Sequence, residues 1–462
     1  MLRRLLIVLV VVVILAGAAF FSLVYKPAID AVPPGQAQTF DTALVAHGAE
    51  LAAIGDCSSC HTTAGGKPFA GGLAVPTPFG TIYSSNITPD RATGIGQWSE
   101  AAFQRALREG VDRDGNFLYP AFPFDHFTHV SDDDINALYA YFMTRQAVNA
   151  PSPASVLQFP YSIRQAMAGW DLLFLKKGPL QPVADQSDEW NRGRYLAEGL
   201  GHCAACHTPR NQLGAEDSSQ QFAGGSVIDG WYVYPLDKNS PAPTKWDVAS
   251  LTSYLKHGFA QGHGAAAGPM AQVTANLAGV NDADVKAIAT YVASQMGVDS
   301  TTPTPAPTTM AAGEPSPPLN SGDSLNLPMT VPTGADIGQT VFATACSSCH
   351  TAGRAQPFGG VDLRQSSAVN ADSPQNVVNM VLYGLPASDG KVGPIMPSFA
   401  GALDQGQLVA LLGYLRSGAG KSAWSDAATV VADTLSGKTA VKSYSADGIE
   451  RVPGAGNART TP

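Results

Sequence analysis

All six cysteines of this 462-residue chain fall in one pattern: CSSCH at 57–61, CAACH at 203–207 and CSSCH at 346–350. No other feature constrains the chain as strongly, because each pattern holds two thiols and an imidazole within about one helical turn. Structural zinc needs four ligands, and each cluster offers at most three, far from the others in sequence. A thioredoxin-like redox pair has no need of a following histidine every time. Chance does not produce three such pentapeptides that use up every cysteine. The pattern is the attachment signature of c-type haem. Two thiols add across the two vinyl groups, and the adjacent histidine is held under the ring to ligate iron. The residues therefore predict three covalent haems c, on Cys57 and Cys60, Cys203 and Cys206, and Cys346 and Cys349, with His61, His207 and His350 as iron ligands. No cysteine remains for an iron–sulfur cluster. There is no GxGxxG after a strand pattern and no Walker loop. Such a chain carries electrons but shows no site that takes them from a substrate.

The N-terminus implies export. Arg3 and Arg4 precede an uncharged run from Leu5 to Val24, and a lone Lys26 follows. Twenty residues rise roughly 30 Å as a helix, enough to cross the hydrocarbon core, with the body of the chain outside the cytoplasm. A transmembrane anchor over 1–26 is the expectation. The competing reading is a cleaved signal peptide, since Ala16-Gly17-Ala18 resembles a cleavage site. Both readings agree with haem attachment, which takes place outside the cytoplasm. The composition is 45% apolar and 14% charged over the whole chain, with net charge −9. That balance argues against a nucleic-acid partner.

The chain repeats itself. A short helical pattern precedes each CxxCH: TALVAHGAELAAIGD, NRGRYLAEGLG and GADIGQTVFATA. A long loop region follows each motif, and then a capped amphipathic helix. Ser131 caps the first, with Asp134 three residues on and Ile135, Leu138, Tyr139 and Phe142 at helical spacing. Asn281 caps the second, ahead of Val285, Ile288, Ala289 and Val292. Asp404 caps the third with Gln407, ahead of Leu408, Leu411, Leu412 and Leu415. This layout resembles the small class I cytochrome c fold, in which the helix before CxxCH packs on the final helix. The expected architecture is all-α, with three tandem class I cytochrome c domains at 41–148, 186–298 and 334–420 after the N-terminal transmembrane helix. Residues 149–185 and the Pro-rich 299–333 read as linkers. Residues 421–462 read as a polar tail, extended or draped on a partner.

The loop before the closing helix brings the distal iron ligand in that fold. Met270 lies 11 residues before the Asn281 cap, and Met396 lies 8 before Asp404. Both are expected sixth ligands, with His263 a rival at the second haem. In the first domain the equivalent position, 9 before Ser131, is Phe122, and phenylalanine cannot ligate iron. Met143 lies at the far end of the closing helix. His126, His129 or no ligand remain, and His126 is the residue expected. Thioether ligation raises a haem potential relative to a second imidazole, so the first haem is expected to have the lowest potential of the three.

With these residues in place, nearly the whole chain resembles the membrane-bound three-haem cytochrome c subunits of periplasmic dehydrogenases. The likeness is carried by FAGGLAVPTPFGTIYSSNITPDRATGIGQWSEAAFQRALREGVDRDGNFLYPAFP, FAGG…GWYVYPL, HGAAAGPMAQV and MPSFAGALDQGQL. It implies an electron-transfer subunit at the periplasmic face of the bacterial inner membrane. Such a subunit accepts electrons from a catalytic partner and passes them to ubiquinone or a terminal oxidase. Members serving alcohol and sugar dehydrogenases usually read PAMPY where this chain reads PAFPF. The AFPFDHF version resembles the branch that accompanies molybdopterin enzymes with an iron–sulfur subunit: aldehyde dehydrogenase, isoquinoline oxidoreductase and nicotinate dehydrogenase. Aldehyde is the expected substrate of the complex. The alternatives are a quinohaemoprotein alcohol dehydrogenase or flavin-dependent sugar dehydrogenase as partner, a free-standing carrier, and an open, ligand-binding first haem.

Overall fold

The computed structural model describes residues 4–7, 11, 15, 17–18, 20–21, 24–35, 39–298, 336–350, 361–385, 394–444 and 450–451. The Pro-rich segment 299–333 lies outside the described residues. The chain divides into two compact units. One comprises 1–181 with the short segments 198–202 and 210–215. The other comprises 182–197, 203–209 and 216–462.

The first unit pairs a leading helix, Thr42–Ile54, with a closing helix, Asp132–Met143. The second unit repeats the pair twice: Asp188–Arg194 with Asp282–Gln295, and Ile337–Val341 with Gln405–Gly418. Each pair crosses at a glycine. A Cβ on Gly48 would lie 2.0 Å from the Ala137 carbonyl oxygen, one on Gly193 would lie 1.9 Å from that of Ala287, and one on Gly338 would lie 2.2 Å from that of Ala410. The closing helix places a tyrosine four residues further on in every case: Tyr141, Tyr291 and Tyr414. Bare main chain thus meets main chain, and no other residue type permits that approach.

The predicted apolar stripes are the buried faces. Ile135, Leu138, Tyr139 and Phe142 are buried, as are Val285, Ile288, Ala289 and Val292, and Leu408, Leu411, Leu412 and Leu415. Polar contacts pin the same crossings. In the first two repeats the residue before the glycine reaches an acid in the first turn of the closing helix. His47 Nε2 lies 2.7 Å from Asp134 Oδ1, and Arg192 grips Asp284 with Nε and Nη2 at 2.8 and 2.9 Å. In the third repeat Ile337 takes that place, and the cap is the reciprocal Asp404–Gln407 box instead.

Two parts of the expected architecture are corrected. The fold is not all-α. Ala74–Thr77, Gly80–Tyr83 and Val156–Leu157 form an antiparallel sheet, with Val75 opposite Ile82 and Gly80 opposite Leu157. Shorter antiparallel pairs occur at 227–232 and 259–265. The loops after each CxxCH are long, and pairing them satisfies main-chain groups that a coil would leave open. The second correction concerns the membrane anchor. No helix among the described residues is long and apolar enough to cross a membrane, so the transmembrane helix over 1–26 is withdrawn. Part of that run lies outside the described residues. Hydropathy sets only whether a stretch is long and greasy enough. It does not by itself make one continuous helix: the described residues of this run, at 4–7, 11, 15, 17–18, 20–21 and 24, are helical, but no described stretch of them has the length of a membrane span. The chain that follows is stitched onto the first unit: Ile29 N donates to Arg113 O and Val32 N to Gln97 O.

The stretches read as linker and tail carry further structure. Helix Met167–Phe174 packs Trp170 against Phe124 and Ala215, and its indole donates to Leu213 O. Helix Ala427–Leu435 buries Val431 in the core of the third repeat. The chain then reaches the hairpin of the second repeat, where Lys442 N donates to Asp229 O and Trp231 Nε1 to Lys442 O.

These contacts can be tested at two residues. Gly193→Val forces the second helix pair apart and should destabilise the second unit by about 3 kcal/mol; the denaturant midpoint measures it. The other residue is Asp171, whose Oδ1 is buried without a partner. Burial pushes its carboxyl up to about 7, against the pull of Lys177 and Lys26 and with help from Glu109 and Asp125. The folded state thus holds this proton more tightly than the unfolded chain does. Its contribution is full at acid pH and is lost as pH rises from about 4 through about 7. Asp171→Asn should flatten that decline in a pH series of thermal melts.

Candidate haem-binding sites

Each CxxCH follows its leading helix as a single helical turn: Cys57–His61, Ala204–His207 and Ser347–His350. The residue at the junction breaks the preceding helix in two of the three. Asp56 and His202 take left-handed φ values of 49° and 36°. None of the six cysteines is joined in a disulfide. Burial pushes the Cys57 thiol up to about 12, with Asp56 and Cys60 adding to the rise. Burial and Cys349 push Cys346 up to about 11. Thiols this far above neutrality stay protonated at neutral pH.

The three histidines share one device. His61 Nδ1 lies 2.6 Å from Ser85 O, His207 Nδ1 lies 2.7 Å from Tyr234 O, and His350 Nδ1 lies 3.1 Å from Val361 O. A carbonyl has no proton to give, so each Nδ1 donates and the lone pair falls on Nε2. Burial lowers the pKa of all three rings, against the raising effect of that bond. A neutral imidazole oriented through Nδ1 by a main-chain carbonyl is the arrangement found in metal-ligating histidines. The three carbonyl partners carry no side-chain signal, so motif reading had no access to them.

The distal positions also share a register. The helices Glu100–Glu109, Val248–His257 and Gln375–Tyr383 each end on a glycine with positive φ: Gly110 at 61°, Gly258 at 71° and Gly384 at 67°. Each glycine stands twelve residues before the expected distal position, namely Phe122, Met270 and Met396. An antiparallel bridge follows the glycine in every repeat: Val111 with Phe117, Phe259 with Ala265, and Leu385 with Met396. Met396 is partly buried against the third core, and its main chain is tied to Leu385 in both directions. Met270 is the second residue of helix Pro269–Leu277. Gly268 before it lies against the Trp231 ring, where a Cβ would come within 2.5 Å. Phe122 packs on Phe127 with ring centroids 5.2 Å apart.

His126 is buried, and its Nδ1 lies 2.6 Å from Glu198 O. A carbonyl can only accept, so Nδ1 is the donor here as in the proximal rings. His129 is similarly held, with Nδ1 2.8 Å from Gly178 O, but it is only partly buried. His263 is buried too. It stacks on Trp246 at 3.6 Å with the ring planes 12° apart. Its Nδ1 is enclosed without a hydrogen-bond partner, and burial lowers its pKa to about 4. An orphaned nitrogen beside the second distal loop, together with two thiols outside any disulfide and an oriented imidazole, fits a site built around a polar-edged prosthetic group.

The chain matches the cytochrome c family over residues 191–295 and 335–419. Over 397 residues it is 36% identical to the gluconate 2-dehydrogenase cytochrome c subunit of Pantoea cypripedii, covering 82% of this chain and 87% of that protein. The chain belongs to the cytochrome c subunits of dehydrogenases. It is 34% identical to the cytochrome c subunit of the quinone alcohol dehydrogenase of Gluconobacter oxydans, over 84% of this chain and 81% of that one. It is 41% identical over 415 residues to a nicotinate dehydrogenase subunit of Pseudomonas putida, a match that covers 89% of this chain but 33% of that protein. The cytochrome c chain thus spans about a third of the length of that relative.

Proposed function

We propose that this cytochrome c subunit holds three haems c and relays electrons from a catalytic dehydrogenase to ubiquinone at the periplasmic face of the bacterial inner membrane. Bound haem supplies one-electron chemistry. The chain's own residues hold it and set its potential. Cys57 and Cys60, Cys203 and Cys206, and Cys346 and Cys349 take the covalent links, with His61, His207 and His350 on one face of each haem. Met270 and Met396 take the other face at the second and third haems. His126 takes it at the first, in place of the methionine that Phe122 displaces. The observation that carries this reading is the Nδ1-to-carbonyl bond made by all three proximal histidines; His126 and His129 both make it too, and His126 is the buried one of the two.

The AFPFDHF stretch that contains Phe122 and His126 points to a molybdopterin partner with an iron–sulfur subunit. An aldehyde or an N-heteroaromatic acid is its substrate class. The identity to the nicotinate dehydrogenase relative supports that branch. The gluconate and quinone alcohol dehydrogenase relatives support a sugar or alcohol dehydrogenase partner instead, and the cofactors that co-purify with the chain decide between the two. Molybdenum with acid-labile sulfide is the expected result. Flavin or pyrroloquinoline quinone without molybdenum would assign the other partner.

His126→Ala should leave three haems attached and turn the first into a high-spin haem that binds carbon monoxide. An unchanged spectrum would remove His126 as a ligand, and carbon monoxide binding by the unsubstituted protein would make the first haem an open site. Potentiometry should place the first haem lowest of the three.

A further inference from the structure

The second and third repeats meet through two carboxamides on one helix of the third, Gln375–Tyr383. Asn376 Oδ1 accepts from Tyr232 N and Asn376 Nδ2 donates to Tyr232 O, both at 2.8 Å. Asn379, fully buried, donates to Gly230 O at 2.8 Å. Gln375 steadies Asn379 from one turn away and is itself held by Thr434. Asn376 thus completes the main chain of Tyr232 as a neighbouring strand would. Two residues further along the same chain segment, the Tyr234 carbonyl accepts the hydrogen bond from His207 Nδ1. The Tyr234 side chain turns back to the same asparagine, whose amide opposes the rise that burial imposes on the phenol. A short run of contacts therefore connects a third-repeat side chain to the imidazole expected under the second haem.

We propose that Asn376 is a positioning residue for the second haem: by clamping Tyr232 and Tyr234 it sets the carbonyl–His207 bond, so that docking of the third repeat tunes the second haem's potential. The physical reason is the basicity of the ligand. A short bond from Nδ1 to a carbonyl gives the imidazole anionic character and stabilises ferric iron, and a slack bond does the reverse. Removing the clamp leaves Tyr232 N and O without partners at a part-buried contact, so the strand must move to find them. The second haem then becomes easier to reduce.

This inference rests on haem attachment at Cys203 and Cys206, and a haem count per chain on the same preparation tests that separately. The experiment is a redox titration of the full chain followed by electron paramagnetic resonance. The second haem is assigned as the signal missing from a Cys203→Ser, Cys206→Ser variant. Asn376→Leu should raise that haem's midpoint, so that at a fixed potential its ferrous-to-ferric ratio rises about threefold, and the first haem should not move. Asn379→Leu cuts a contact further along the hairpin and should have the smaller effect. Asn376→Ser serves if the leucine variant does not accumulate. An unmoved midpoint in an Asn376 variant with full haem content would overturn the proposal. So would an equal shift in Asn379→Leu, which would mean general loosening of the contact.

Discussion

A glycine pressed against a carbonyl holds each repeat together. At Gly48, Gly193 and Gly338 the leading helix touches the main chain of the closing helix with no Cβ between them. That contact is short-ranged and unforgiving, since a single added carbon falls well inside the van der Waals contact distance to the oxygen. It fixes where the leading helix points, and the CxxCH turn is the direct continuation of that helix. It also fixes the closing helix, before which the distal loop must end. The thiols, the proximal imidazole and the distal position all inherit their places from one contact.

The site adds a second constraint of a different kind. A histidine beside two thiols can present either nitrogen to a metal. Donation from Nδ1 to Ser85, Tyr234 and Val361 removes the choice. Those acceptors come from the loop beyond CxxCH, 24, 27 and 11 residues on. The loop therefore orients the imidazole of each CxxCH motif. In the first two repeats its neighbouring segments pair as short antiparallel strands, and they are the reason the fold departs from the all-helical expectation.

The second and third repeats form one unit with the segment after the third closing helix. Trp424 donates to Ala371 O inside the third core, and Lys442 reaches the Asp229–Trp231 hairpin of the second repeat. These contacts surround the Asn376 clamp. Among the described residues of the tail, Trp424, Ala427, Val431 and Val441 are buried, and they hold residues 421–444 against the two repeats.

Much of this was legible in the residues alone. The CxxCH motifs that use every cysteine point to c-type haem, and the chain belongs to the cytochrome c subunits of dehydrogenases. The buried stripes and caps of the closing helices follow from helical periodicity and from Ser131, Asn281 and Asp404. What the tertiary structure alone decided is of two kinds. Main-chain partners leave no mark in a sequence, so the carbonyls of Ser85, Tyr234, Val361 and Glu198 appear only once the chain is folded. Apolar runs report solubility and not geometry, so Leu5–Val24 read as a membrane span that the described residues do not contain. The crossing glycines lie between: HGAEL, RGRYL and IGQTV share the residue in the same place, but only the distance to a carbonyl tells a packing glycine from a flexible one.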